Sequence, residues 1–408
     1  IIQEVPSDNM YMLKKQDDAS KSWTSSQIQS VSGNDDAAMK FYYPSGGMSS
    51  LSQALMKEGA FNVQQDVWVS PSSGVKYRDG KWQVRAQGKV LGEYSHLVIA
   101  HNGKCADRLM SKTPAKDLHR LLRVNFNDRV PANGGQKMTL NSIYSVTVAL
   151  KSPSVLSQAL PDNFLAGFVQ NHPKLSMISC QTNKYPPSTY NDGNSEPSQD
   201  NNVEVWNILS TASFAKKNKA PQEFLPEDVV ANVTQWLVEA LDETFCDKSK
   251  DTSLMDQLLE ARVQLWGAAV PMNVWKANGN SAGVGQDAGF IYDSQYQVGV
   301  CGDWLLEPSI AGAWTSGRRM AKHLKEARIS TKGDSVGLDG QFIASPSVRN
   351  LAIASFDGPM NERGGPVDDS SRHPRGQPGR KANNNGRRRN NRKSRQKKQE
   401  SPKRQTVS

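Results

Sequence analysis

Between residues 41 and 324 apolar residues recur with two different periods, and their alternation along the chain predicts an α/β protein. Met48, Leu51 and Leu55 fall at helical spacing after Phe41-Tyr-Tyr-Pro-Ser-Gly-Gly, and Gly59 supplies a stop. Asp66-Val-Trp-Val69 reads as a strand. A hairpin follows, in which Val75 and Tyr77 alternate, Asp79-Gly80 turns, and Trp82 and Val84 alternate back. His96-Leu-Val-Ile-Ala100 is a continuous apolar run, the pattern of a strand buried on both faces. From about His119 the alternation lengthens, and 143–150, 164–169, 175–180 and 203–211 predict an antiparallel sheet interrupted by a polar loop over 186–202. Pro226-Glu-Asp opens a helix with Val233, Leu237, Leu241 and Phe245 on one face, and a shorter helix is expected over 254–262. Val298-Gly-Val-Cys301 then reads as a buried strand, Gly302-Asp303 as a turn, and the stretch from near Ser309 to Leu324 as a helix.

Charge changes this picture only at the end of the chain. The 408 residues carry a net +10, but fourteen Lys and Arg against the single acid Glu400 place +13 beyond Ser371, leaving −3 for the rest. A near-neutral body gives no reason to expect a nucleic-acid groove. Arg372 to Arg404 is Arg/Lys/Asn/Gln-rich and cannot bury a core, so a disordered basic tail is expected, with weak non-specific polyanion contact. A nuclear-import or RNA-tethering role is the functional alternative for this tail; without interleaved aromatics its contacts would be to phosphates. Cys105, Cys180, Cys246 and Cys301 are far apart, with no Cys-x-x-Cys pair and no His at ligand spacing, so no metal site is expected. Four structural thiols in a reducing compartment are the simpler reading. No apolar run approaches the length of about 18 residues that suggests a membrane span. The chain opens at Ile1, is expected to be a fragment, and offers no readable targeting signal, so its compartment stays unassigned.

The stretch from Val298 to Leu324 is the richest in chemistry. Ala311, Gly312, Ala313, Ser316 and Gly317 crowd the first helical turns, so a ligand could approach that backbone closely. A helix N-terminus offers unpaired N–H groups and partial positive charge, and Asp303 just before it can accept hydrogen bonds from a polyol. The alternative is a plain turn with an Asp near a helix start. Three blocks in order resemble flavoproteins of the renalase and amine-oxidase type. They are Pro44-Ser-Gly-Gly-Met-Ser-Ser-Leu51; Asp66-Val-Trp-Val69 with His96-Leu-Val-Ile-Ala-His-Asn-Gly-Lys104; and Leu265-Trp-Gly-Ala-Ala-Val-Pro271 with Cys301-Gly-Asp303 and Ile310-Ala-Gly-Ala313.

The resemblance implies FAD as cofactor. Gly302 and Asp303 would hold its ribityl–phosphate region, and Ser309, Ile310, Ala311, Gly312 and Ala313 would bring helix backbone to the pyrimidine edge. The backbone of Val67 or of Val69 would meet the adenine, although both side chains also read as core. Trp266 would stand near the substrate cavity, or else be an ordinary core Trp; it is the single weak catalytic candidate, since flavin oxidases need few protein acids or bases. His101 reads as a loop histidine near the adenosine end, and no hydrolase triad can be assembled. The family's Gly-x-Gly-x-x-Gly run is not found at the front of this sequence, so the chain alone is expected to bind FAD poorly.

These readings combine into a Rossmann-like FAD-binding domain that is discontinuous and incomplete at its N-terminus, with a mixed, largely antiparallel substrate domain. The expected divisions are a poorly structured 1–40, FAD-binding parts over 41–120 and 276–328, a substrate domain over 121–275, and a loose to disordered 329–408. The expected reaction is hydride transfer from a small amine or dihydronicotinamide-like substrate to FAD. The rivals are a non-catalytic remnant that serves as a binding protein, and a polyanion- or RNA-binding protein acting through its tail.

Overall fold

Strict alternation over 143–150 and 203–210 gives each strand one face to bury, and the two pair antiparallel from Ser145 opposite Leu209 to Lys151 opposite Val203. They are inner strands of a seven-stranded sheet ordered Leu258–Trp266, Ile143–Lys151, Val203–Ser210, Leu175–Cys180, Ala166–Val169, Met10–Lys15, Trp23–Gln27. Ala166–Val169 and Met10–Lys15 run parallel, so the sheet is mixed, and the α/β class holds. The computed structural model describes residues 2–6, 9–15, 23–27, 41–59, 61–71, 73–101, 103–131, 133–186, 202–246, 252–278, 288–327 and 334–345. The basic tail and most of the expected 186–202 loop lie outside the described residues.

The helix Glu227–Phe245 covers one face of the sheet. Val233, Leu237 and Leu241 are buried with Tyr144, Val146, Trp206 and Ile208 in a single core. Truncating a leucine so enclosed removes about 2–5 kcal/mol. A second core gathers Trp82, Met110, Leu118, Trp275, Val300, Trp304 and Phe342. Around it stand the three-stranded sheet Val75–Arg78, Lys81–Ala86, Lys89–Tyr94 and a second three-stranded sheet ordered Phe290–Asp293, Val298–Cys301, Leu97–Ile99. The indole N–H of Trp82 donates to the Tyr296 carbonyl at 2.7 Å and so ties the first of these sheets to the turn of the second.

Several expectations need correction. The front of the chain is not poorly structured throughout: Met10–Lys15 joins the large sheet and Leu13 is fully enclosed in its core. Asp66–Val69 forms no strand; it touches the hairpin by one bridge, Val69 to Ala86, and Asp66 sits at φ 56°. Leu97–Ile99 is not covered on both faces, since Val98 is 38% exposed, and it is the outer strand of its sheet. The helix expected over 254–262 stops at Gln257, where the alternation of Ala261, Val263 and Leu265 prevails and Leu258–Trp266 pairs with Ile143–Lys151. Within the segment expected to be loose, Gly340–Ala344 pairs with Asn273–Ala277 and buries Phe342.

The predicted turn at Asp79-Gly80 is present, with φ of 50° and 74°, the double positive φ of a tight hairpin. Gln87-Gly88 repeats it at 48° and 79° and adds the unforeseen strand Lys89–Tyr94. The helix Met48–Glu58 forms as expected and ends at Gly59, yet none of its residues is buried.

Glu204, 8% exposed, receives Ser154 N at 3.1 Å, Ser154 Oγ at 2.6 Å, Ser157 Oγ at 2.8 Å and Trp206 Nε1 at 3.2 Å. Burial pushes its carboxyl up, but these donors outweigh burial and hold it below its ordinary value. Its contribution is therefore present above the ordinary Glu range near pH ~4.3 and is lost as pH falls through the lower folded value. Glu204→Gln should cost about 1.5–3 kcal/mol at neutral pH and flatten the acid limb of stability, measured by urea unfolding from pH 7 downward. An unchanged acid limb would show that this network does not hold the carboxylate.

Candidate functional site

Four consecutive buried residues make Val298–Cys301 an inner strand. It lies parallel to Leu97–Ile99 with Val300 opposite Ile99, so both strands end at the same edge of the sheet. The chain leaves that edge as Ala100-His101 on one side and Gly302-Asp303 on the other. A crevice outside the carboxyl ends of parallel strands is where α/β sheets bind ligands. Phe290–Asp293 pairs antiparallel on the far side along the whole strand, with Phe290 opposite Cys301, and the turn begins immediately after that pair.

The turn is held by a residue the sequence did not single out for this role. Ser316, fully buried, lies in the helix Ile310–Ala327 on the face that also carries the buried Gly312 and Met320. Its Oγ accepts from Gly302 N at 2.9 Å and donates to the Gly289 carbonyl at 2.5 Å. One hydroxyl thus joins the strand end, the helix and the segment before Phe290. The only sequence signal was a polar residue at a four-residue spacing on the helix's inner stripe.

Asp303 begins a short 3-10 turn with Trp304 and Leu305. Its Oδ1 accepts from Trp304 N at 3.0 Å. Burial raises its carboxyl above the ordinary Asp value, and the backbone N–H groups of Trp304 and Asp303 itself offset that only in part. The indole N–H of Trp304 is buried with no partner among the described residues.

Helix Ile310–Ala327 follows this turn and is joined to it through Ser316. Ser309 Oγ accepts from Gly312 N at 2.9 Å as an N-cap, and the first ladder bond runs from Ala313 N to the Ser309 carbonyl at 3.0 Å. The N–H groups of Ile310 and Ala311 lie ahead of that ladder. Ile310, Ala311 and Ala313 are exposed, so this end of the helix is open to a ligand.

Gly312 needs a different explanation from the one its sequence context suggested. A Cβ there would run into the Glu307 carbonyl of the preceding loop, so the chain's own backbone already requires glycine. The small-residue stripe is therefore not in itself a sign of a bound ring. Ala311 and Ala313, by contrast, face solvent.

Gly302 and Asp303 lie in the turn after Val298–Cys301, and Ser309, Ile310, Ala311, Gly312 and Ala313 form the start of the helix that follows it. Val69 packs on the same core as Trp304, whereas Val67 is 37% exposed, so the reading of both side chains as core fails for Val67. Trp266 ends the outer strand of the large sheet opposite Ile143 and is 53% exposed, so its core reading fails too. Among the described residues no His/Cys/Asp/Glu cluster could hold a metal, and no helix is long and apolar enough to cross a membrane.

No family model matches the sequence. Among solved structures the chain is similar to a protein described as a protoporphyrinogen oxidase from Exiguobacterium, with 9% identity over 71% of this chain and 53% of that one, TM-score 0.42. It is also similar to putrescine oxidase bound to putrescine, with 14% identity over 71% and 54% and a TM-score of 0.36. A third is a protein described as an FAD-containing monooxygenase from Photorhabdus luminescens, with 13% identity over 81% and 72% and a TM-score of 0.38. The chain spans about half the length of the first two.

Ser316→Ala strips a partner from both Gly302 N and the Gly289 carbonyl. It should destabilise the fold by about 1–3 kcal/mol, read by urea unfolding, with amide exchange at Gly302 accelerated first. Wild-type stability and exchange in the variant would remove Ser316 from its place in this turn.

Proposed function

We propose that the chain is part of an FAD-dependent oxidoreductase of the renalase and amine-oxidase type. The observation that carries this reading is the half-buried Asp303 carboxyl, set where two parallel strands end, with the open N-terminus of helix Ile310–Ala327 following after a short turn. The residues present fit the flavin's polar edges: a carboxyl to accept hydroxyl donors, and the Ile310 and Ala311 N–H groups to meet carbonyl oxygens. In this reading residues 41–120 and 276–328 belong to the cofactor domain and 121–275 to the substrate domain. The backbone near Val67 or Val69 meets the adenine, and Trp266 borders the substrate cavity.

FAD, when bound, supplies the hydride acceptor for a small amine or dihydronicotinamide-like substrate. The chain's own residues bind and orient. Asp303 holds the ribityl–phosphate region, and Ser316 fixes the turn that aims it. The start of helix Ile310–Ala327 presents partial positive charge where negative charge develops.

Two expectations follow for the full-length protein. Asp303→Ala should weaken FAD retention by about 1.5–3 kcal/mol, measured as flavin absorbance remaining after gel filtration. Because burial raises the Asp303 carboxyl, acidification neutralises it sooner than it would a solvated Asp, so wild-type retention should fall with pH and the variant's should not share that limb. A variant as yellow as wild type, with the same pH profile, would contradict the assignment.

The +13 concentrated beyond Ser371 favours a second, separate activity: weak polyanion contact through the tail. Deleting 371–408 should abolish heparin binding and leave thermal stability unchanged, with the wild-type affinity falling steeply in salt. Tight, salt-resistant binding by the truncated protein would place a basic surface in the body instead.

A further inference from the structure

Outside the Gly302 turn, the described residues hold one lysine whose surroundings are unlike those of an ordinary surface amine. Lys184 ends the one-turn helix Gln181–Lys184. That helix is pinned on two sides: Asn183 Nδ2 donates to the Phe164 carbonyl at 3.1 Å, and Thr182 Oγ1 accepts from Val205 N at 2.8 Å. The Lys184 ammonium stands 5.3 Å from the ring centre of Tyr43 and 5.2 Å from that of Tyr185. The two rings meet edge to face at 5.7 Å and 82°, making a corner around the cation. Tyr43 comes from the short strand Tyr42–Pro44, held by its pairing with Ile2–Glu4. Two separate parts of the chain therefore meet at this corner, Tyr43 from one and Lys184 with Tyr185 from the other.

Among the described residues the charge has no counter-ion. Burial alone lowers the Lys184 ammonium below the ordinary lysine value, and no carboxylate of the described residues forms an ion pair with it. Ring faces stabilise a cation, but they accept no full hydrogen bond from its three N–H groups. A half-buried ammonium in that condition is electrostatically complementary to an anion, and a carboxylate would both neutralise it and accept those N–H groups. A planar organic acid could in addition lay its apolar part against the tyrosine corner.

We propose that Lys184, Tyr43 and Tyr185 form a binding site for the carboxylate of a small organic acid. The site stands apart from the Gly302 turn, and the proposal does not depend on the flavin reading.

Benzoate, a planar monocarboxylate, is the probe, titrated calorimetrically into the flavin-free protein. Saturable binding is expected, with benzamide, which keeps the ring but not the charge, weaker by about tenfold or more. Lys184→Met should weaken benzoate by about tenfold or more, while Lys184→Arg should stay within about threefold of wild type. Circular dichroism and thermal melting check that each variant is folded. If Lys184→Met does not fold, Tyr43→Leu takes its place and should also weaken benzoate. Absence of benzoate binding to wild type, equal binding of benzamide, undiminished binding by folded Lys184→Met (or by Tyr43→Leu in its place), or Arg as poor as Met, would each overturn the proposal.

Discussion

The candidate site depends on one buried hydroxyl. Ser316 Oγ accepts a hydrogen bond from the Gly302 N–H and donates one to the Gly289 carbonyl, so a strand end, a helix and the run into the neighbouring strand share a single fixed point. In an enclosed setting each of those backbone groups would otherwise lack a partner, and leaving it unpaired costs about 1–3 kcal/mol. The turn is consequently rigid. Asp303 follows directly, and its carboxyl is placed by a constraint that it does not itself supply.

That constraint also clarifies what is structural at this site and what is available for chemistry. Gly312 and Ser316 serve the packing of the helix on Val298–Cys301 and its loop. Asp303, with a raised carboxyl pKa, and the leading N–H groups of the helix are the groups left to meet a ligand. They are an acceptor at the mouth of a parallel strand pair and donors at the start of the helix that follows, groups suited to a cofactor with both hydroxyls and carbonyls.

Much of the scaffold was legible in the sequence because it obeys simple periods. Ile143–Lys151, Val203–Ser210 and Glu227–Phe245 were readable from alternation or a helical stripe, and Asp79-Gly80 from turn chemistry. Gln87-Gly88 was missed because Gln rarely marks a tight turn, although its backbone does the same as Asp79. Leu258–Trp266 was misread because Leu254 to Leu258 starts a helix whose capping box, Ser253 with Asp256, ends after one turn. Met10–Lys15 and Gly340–Ala344 owe their place to pairing with distant strands, which no local pattern reports. At the site, the Gly302-Asp303 turn was readable, whereas Ser316 acquires its role only when the helix packs. Small residues in the helix suggested a ligand, yet for Gly312 the cause is the Glu307 carbonyl.

The central claim, that this turn and the start of the following helix hold a flavin, is tested most directly by amide hydrogen exchange of the full-length protein with and without FAD. Exchange at 302–313 should slow on adding FAD, while the strands Ile143–Lys151 and Val203–Ser210 of the large sheet should exchange as before. If FAD bound while exchange at 302–313 stayed unchanged, or if protection appeared only in the large sheet, the account of this site would be contradicted.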